Sequence, residues 1–319
     1  MSTFHYGPDN PEETYVPHAY PENKIDLGEV VMNYAVVGNP ALPALLLVPA
    51  QTESWWGYEK AMELLERHFQ CFAVDLRGQG RSTRTPGRYT LDNMGNDLVR
   101  FLALVVKRPA IVSGLSSGGL LAAWLSAYGV PGSIRGALYE DTPFFASEVN
   151  PSCGDSIRQC AGPLFALLSQ FLGDQWSVGD WAGLQAAARK LGGGTLAAAM
   201  AGRLVPQTDQ PPQNLKEYDP EWARAFCTGT VAASCDHAQM LAAVKVPVLY
   251  THHSRSTNLQ SGTLIGATSD RQAAYACELI RSAGQRVDYR SFPTMGHYLH
   301  VQDPQLFAQT LVEWASTLG

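Results

Sequence analysis

Short, uninterrupted apolar runs recur along this chain, at Ala44–Val48, Cys71–Val74, Ala110–Val112 and Val246–Tyr250. Runs of that length without polar alternation suit strands buried on both faces. Between them lie segments with helical spacing, at Tyr58–Phe69, Leu91–Val106 and Gly119–Tyr128. Strand, helix, strand, helix in that order predicts an α/β fold, a mostly parallel sheet with helices on both faces. Such sheets bind ligands beyond the carboxyl ends of their strands, so the chemistry is to be sought there.

With 319 residues, 45% of them hydrophobic and 16% charged, the chain can bury a sizeable core. Its net charge of −6 and the lack of any Lys/Arg run argue against nucleic acid and anionic membranes as partners. The N-terminus has neither the basic nor the apolar region of a secretory signal, and no apolar stretch is long enough for a membrane span, so a cytoplasmic protein is expected. Six cysteines without C-x-x-C spacing read as reduced, mostly core thiols. Cys153 and Cys160 are expected on one helix face, two turns apart and too far to bridge. The sequence leaves oligomeric state open, a homodimer included.

Residues 1–23, rich in Pro, Glu, Asn and His, read as a loosely held arm. Lys24 to Gly38 reads as two strands around Gly28-Glu29. From residue 144 to 243 helical periodicity runs without a convincing strand, which predicts a helical cap inserted into a core made of 24–143 and 244–319. The strand-helix rhythm resumes with a helix over Arg271–Ala283, a strand over Arg286–Phe292 and a final helix over Pro304–Leu318.

The strongest chemical signal is Gly114-Leu115-Ser116-Ser117-Gly118, placed after an apolar strand and before a helix. A serine on so sharp a turn needs small residues two positions to either side, because a Cβ there would clash. Ser116 meets that condition and Ser117 does not. A serine hydroxyl needs a histidine base and a group that orients it. His297, in the loop after the last strand, is the candidate base, with His300 structural or pocket-lining. A metal on this His-x-x-His pair is not supported, because no carboxylate or thiolate spacing accompanies it. No metal or organic cofactor is expected.

The orienting acid is ambiguous. Tyr250 to Asn258 contains no Asp or Glu, and Asp270 reads as a helix N-cap. Glu140-Asp141 ends the strand before the cap, and alternation along a strand lets only one of the two face the histidine. For the oxyanion, the N–H of Ser117 is one expected donor and that of Gln51 the other; Pro49 has none to give. Asp75-Leu76-Arg77-Gly78-Gln79-Gly80-Arg81-Ser82 lacks the ending of a phosphate loop and reads as a structural turn. Trp55 and Trp56, just past the oxyanion loop, and Tyr298 are candidates for substrate contact. The cap adds Trp176, Trp181 and Trp222, whereas Trp124 and Trp314 fall on core helices.

Together the serine turn, the D-x-R-G-x-G-x-S turn, the helical cap and the late Gly-His resemble the α/β-hydrolase fold. The resemblance covers nearly all the chain from Lys24 onward, and implies an eight-stranded, mostly parallel sheet with the cap between strands 6 and 7. Within that superfamily the chain is similar to a bacterial branch of the zearalenone lactone hydrolases, which open a macrocyclic resorcylic lactone. The residues that carry this are Val48-Pro49 in place of His-Gly, the Ser-Ser-Gly elbow, the carboxylate before Pro143, and Pro220-Glu221-Trp222-Ala223-Arg224. The resemblance implies a Ser116–His297–Asp141 triad, a small-molecule lactone or ester as substrate, and Trp222 packed on its aromatic ring. Some relatives carry Glu where this chain has Asp141. Epoxide hydrolases and dehalogenases need a carboxylate at position 116 and do not fit. A non-enzymatic hydrolase-fold receptor for a small ligand is the alternative that multiple turnovers would exclude.

Overall fold

The computed structural model describes residues 16–174 and 177–319, so most of the expected arm, and Trp176, lie outside the described residues. Among the described residues there are ten strands: β1 (Glu22–Asp26), β2 (Val31–Val37), β3 (Ala44–Val48), β4 (Gln70–Val74), β5 (Ala110–Leu115), β6 (Ile134–Glu140), β7 (Val248–His252), β8 (Ser256–Thr257), β9 (Leu264–Ile265) and β10 (Val287–Ser291). Eight of them form one sheet in the order β1-β2-β4-β3-β5-β6-β7-β10. β2 pairs antiparallel with β1 and β4, and the strands from β4 to β10 run parallel.

The apolar runs behave as expected: every residue of β3 and β5 is buried. Helices α1 (Glu59–Leu65), α2 (Leu91–Phe101) and α3 (Ser117–Tyr128) connect the first strands. Trp55, Met62 and Leu65 pack one sheet face with Leu311 and Trp314, while Leu98, Phe101 and Leu121 pack the other. The helix expected to run on to Val106 leaves the α form at Phe101 and finishes as a π-turn over Leu102–Val106, closed by Lys107 at φ 59°.

After β6 the chain leaves the sheet and returns at β7. Between them lie α4 (Gly162–Phe171), α5 (Trp181–Ala188), α6 (Leu196–Leu204), α7 (Gln213–Lys216), α8 (Pro220–Thr228) and α9 (His237–Ala242). Cys153 and Cys160 do not share a helix, contrary to expectation, because α4 starts only at Gly162; all six cysteines are free. The small β8–β9 ribbon escaped the periodicity argument because two residues per strand carry no period. After it come α10 (Asp270–Ser282), α11 (Leu299–Gln302) and α12 (Pro304–Ala315). The N-cap of α10 is Ser269 in a reciprocal box with Gln272, and Asp270 is its first helical residue. Among the described residues no helix is long and apolar enough to cross a membrane.

The D-x-R-G-x-G-x-S segment is a brace at the carboxyl edge of the sheet. The buried Asp75 carboxylate accepts from the Trp55 N–H at 2.8 Å and from Asn33 Nδ2 at 2.8 Å. Gln79 Nε2 donates to the Ala50 carbonyl at 2.8 Å, and the Asp219 N–H donates to the Gly78 carbonyl at 2.8 Å. One turn thereby holds the loop after β3 and the start of α8.

Candidate active site

The steric demand on the serine turn is met in full. Ser116 sits at φ 54°, ψ −118°, between β5 and α3, a strained backbone that exposes its side chain above the strand ends. A Cβ on Gly114 would lie 2.1 Å from the Gly118 carbonyl oxygen, and one on Gly118 would lie 2.3 Å from that of Val48. Neither position admits a larger residue without moving backbone.

His297 arrives on the loop between β10 and α11, and its Nδ1 lies 2.7 Å from Asp141 Oδ2. Asp141 follows β6 at φ 39°, so the strand does not continue through it. Its other oxygen, Oδ1, accepts the His253 N–H at 2.9 Å. Burial alone would raise the Asp141 carboxyl; the His297 hydrogen bond and charge, with His253 beside them, hold it below the ordinary carboxylate range. The carboxylate is therefore ionised and oriented at neutral pH.

Glu140, the other candidate, belongs to a different partner. Its carboxylate meets His300 Nδ1 at 3.0 Å and accepts the His300 N–H at 3.1 Å, with both side chains fully buried. His300 is stacked against Tyr58 and does not line the cavity.

Ser116, Asp141 and His297 line one cavity of about 340 Å³. Its floor is the strand-end loops, including Ala50 to Thr52; its roof comes from α4, α6 and α8, through residues such as Phe165, Met200 and Phe226. The lining is mostly apolar with a few polar groups, the usual composition of a small-molecule site. Cys160 also reaches it, but burial pushes that thiol up to about 12, which leaves it un-ionised and a poor nucleophile.

The two expected oxyanion donors differ in their hydrogen bonds. The Gln51 N–H is spent on Ser117 Oγ at 2.6 Å, and the Gln51 side-chain amide donates to the Tyr218 hydroxyl. Among the described residues the N–H groups of Ala50 and Ser117 have no acceptor, and Ala50 lines the cavity. Gln51 lines the cavity as well. Position along the loop was visible in sequence; which amide the Ser117 hydroxyl would occupy was not.

Three of the four aromatic residues expected at the substrate do not line this cavity. Trp222 is fully buried and stacked on Tyr89, with centroids 6.0 Å apart at 17°, and it does not line the cavity. Trp55 is buried with its indole N–H on Glu22, and Trp56 lies under the His18 ring with its N–H on Glu217. Neither lines the cavity. All three are large apolar surfaces that found packing partners first. Tyr298 does line it, edge-on to His297 with centroids 5.0 Å apart. Arg203 also lines it and was missed, although Leu196, Ala199, Met200, Arg203 and Leu204 fall on one helical stripe.

Comparison with known proteins accords with this fold. The chain is 27% identical over 100 residues to 3-oxoadipate enol-lactonase 2 from Acinetobacter baylyi, a match covering 31% of this chain and only 38% of that relative's length. Among solved structures it shares its fold with the enol-lactonase from Burkholderia xenovorans, at 17% identity and TM-score 0.65 over 92% of this chain and 100% of the other. A thermophilic esterase from Thermogutta terrifontis is similar to the same degree, at 20% identity and TM-score 0.64 over 93% and 99%. The model of the alpha/beta hydrolase family matches residues 45–310, from β3 into α12. That span takes in the serine turn, the acid and the histidine alike, and by it the chain belongs to the alpha/beta hydrolase family.

Proposed function

We propose that this protein is a serine hydrolase of carboxylic esters and lactones, with Ser116 as nucleophile, His297 as base and Asp141 as its orienting acid. The observation that carries the reading is the single cavity in which a strained serine turn meets a histidine held by an ionised, buried carboxylate. The sequence similarity to zearalenone lactone hydrolases puts a macrocyclic resorcylic lactone first among the substrates to test.

The substrate carbonyl oxygen lies on the N–H group of Ser117 and on one from the loop after β3, that of Gln51 once it leaves the Ser117 hydroxyl or that of Ala50. His297 takes the Ser116 proton as Oγ bonds to the carbonyl carbon, and Asp141 holds the imidazole in the tautomer with its proton on Nδ1. Collapse of the tetrahedral intermediate breaks the C–O bond, and His297 returns its proton to the departing alkoxide. In a lactone that alcohol stays tethered to the acyl group. Water, deprotonated by His297, then attacks the acyl-enzyme, and the protonated histidine restores the Ser116 hydroxyl as the acid leaves.

The test is steady-state turnover of zearalenone and of simple aryl esters by wild type and Ser116→Ala. The expected loss in the variant is roughly 10³- to 10⁶-fold; retained turnover removes Ser116 from the mechanism. Hydrolysis of aryl esters without opening of zearalenone keeps the triad and rejects the resorcylic lactone.

A further inference from the structure

On the stripe of α6 that faces the cavity, Arg203 is the one charged member among Leu196, Ala199, Met200 and Leu204. An arginine in such a stripe ordinarily extends its head away into water. Arg203 is exposed, yet its head is not directed away from the cavity: its guanidinium carbon lies 3.8 Å from the centroid of the Tyr298 ring, which lines it. The same ring meets His297 edge-on at 5.0 Å. The guanidinium is therefore no farther from the imidazole than these two spacings laid end to end.

A guanidinium stacked by its face on a ring keeps its N–H edge free to donate. Among the described residues no carboxylate comes within ion-pair distance of Arg203. Glu53 feels its charge only from farther away. Asp141, the one carboxylate in the lining, is committed to His297 and His253. A solvent-exposed cation without an ion-pair partner among the described residues thus stands on the lining of an apolar cavity, one aromatic ring away from the base.

We propose that Arg203 is a specificity-determining residue that binds an anionic oxygen of the substrate, so that the site takes esters or lactones whose acyl part carries a carboxylate or an acidic phenol. This rests on the serine-hydrolase reading and names its substrate class. The apolar chain or ring between the two groups fills the cavity, the acidic oxygen takes the N–H edge of Arg203, and the scissile carbonyl reaches Ser116. Hydrolysis then releases an acid with a second acidic group still held at Arg203.

The experiment compares two matched pairs of substrates: p-nitrophenyl hydrogen glutarate against p-nitrophenyl pentanoate, and phenyl 2,4-dihydroxybenzoate against its dimethyl ether. Each is measured with wild type, Arg203→Gln, Arg203→Lys and Ser116→Ala. Wild type is expected to favour the acidic member of a pair, and Arg203→Gln to lower that preference in kcat/KM about tenfold, mainly through KM. Arg203→Lys retains part of the preference for the carboxylate. A fall confined to the glutarate pair identifies a carboxylate as the ligand, and one confined to the dihydroxybenzoate pair identifies a phenol. An unchanged preference in both pairs, or an equal loss on all four substrates, overturns the role of Arg203 while Ser116-dependent turnover keeps the hydrolase. Turnover that survives Ser116→Ala, or none on any substrate, overturns the hydrolase reading and takes this assignment with it.

Discussion

Glu140 and Asp141 are neighbours in the chain, and each meets the Nδ1 of one of two histidines three residues apart, His300 on α11 and His297 on the loop before it, at 3.0 Å and 2.7 Å. By hydrogen-bond geometry the two pairs are alike. They differ in what surrounds the second ring nitrogen. His300 lies fully buried under Tyr58, their centroids 4.1 Å apart, and beside Phe307. The His297 side chain keeps 28% of its surface exposed and opens on the cavity. A carboxylate–histidine pair becomes a candidate for catalysis only when its far nitrogen can reach a substrate; closed off, the same pair is a structural tie. The backbone makes the division, because Glu140 still obeys the strand and Asp141, at φ 39°, has already turned out of it.

The sharpest way to break this comparison is to disable each acid in turn. Asp141→Asn is expected to lower kcat by about 10⁴, since the histidine then loses its tautomer and its counter-charge, with little change in the thermal midpoint. Glu140→Gln is expected to do the opposite: a buried partner is stranded, stability falls by about 3–5 kcal/mol, and kcat at a permissive temperature holds near wild type. Crossed results would exchange the two roles.

The pH dependence of the Glu140→Gln penalty sharpens the difference further. Burial would raise Glu140, but the charge and hydrogen bonds of His300 hold it below the ordinary range. Burial would lower His300, but Glu140 raises it. The Glu140 contribution is present above the unfolded carboxylate value and is lost as pH falls through the depressed folded one. That of His300 is present below the unfolded imidazole value and is lost as pH rises through the elevated folded one. The destabilisation caused by Glu140→Gln, measured by denaturant unfolding, should therefore form a plateau at neutral pH and shrink on both sides. A penalty independent of pH would mean that the pair is not ionised.

A third pair gives a smaller effect of contrasting origin. Glu148 Oε2 stands 3.9 Å from His237 Nδ1, but that nitrogen already accepts the Phe145 N–H at 3.0 Å. The His237 backbone N–H donates to Glu148 Oε1 at 3.1 Å, but this only partly offsets the cost of burial. Burial pushes Glu148 up from 4.5 to about 7 and His237 down from 6.5 to about 4. As pH rises, the raised carboxyl lowers stability because the folded state holds the extra proton, while the lowered imidazole increases it because the unfolded state does. Between pH 4.5 and 6.5 the two slopes oppose. Glu148→Gln should leave the histidine slope alone, so that stability climbs more steeply with pH across that window. An unchanged slope would place Glu148 at an ordinary carboxylate value.

The sheet was legible because buried parallel strands impose a run that few other structures need, and Ala44–Val48 matches β3 residue for residue. The serine turn was legible because sterics forbid side chains at positions 114 and 118. Partners decided by tertiary contact were not. Nothing local says that Ser117 Oγ will occupy the Gln51 amide, or that Trp222 will spend its ring on Tyr89 instead of the cavity. Alternation told that one of Glu140 and Asp141 faces the histidine, but the rule stops where the strand stops, and that boundary falls between them. Arg203 lay in plain view on a helical stripe, hidden by the habit of counting only apolar residues along it.

Asp219 closes onto the Gly78 carbonyl while Gln79 closes onto that of Ala50, so one turn registers the roof of the cavity against its floor. For an engineer this marks a splice point. The segment between Asp141 and β7 can be treated as a cassette: it supplies the roof of the cavity and none of the groups proposed to cut the substrate. A foreign cassette that brings an aspartate to this seat, and finds Tyr89 and Arg84 waiting for its carboxylate, inherits the alignment. One that lacks the aspartate arrives unmoored, however well its own helices fold.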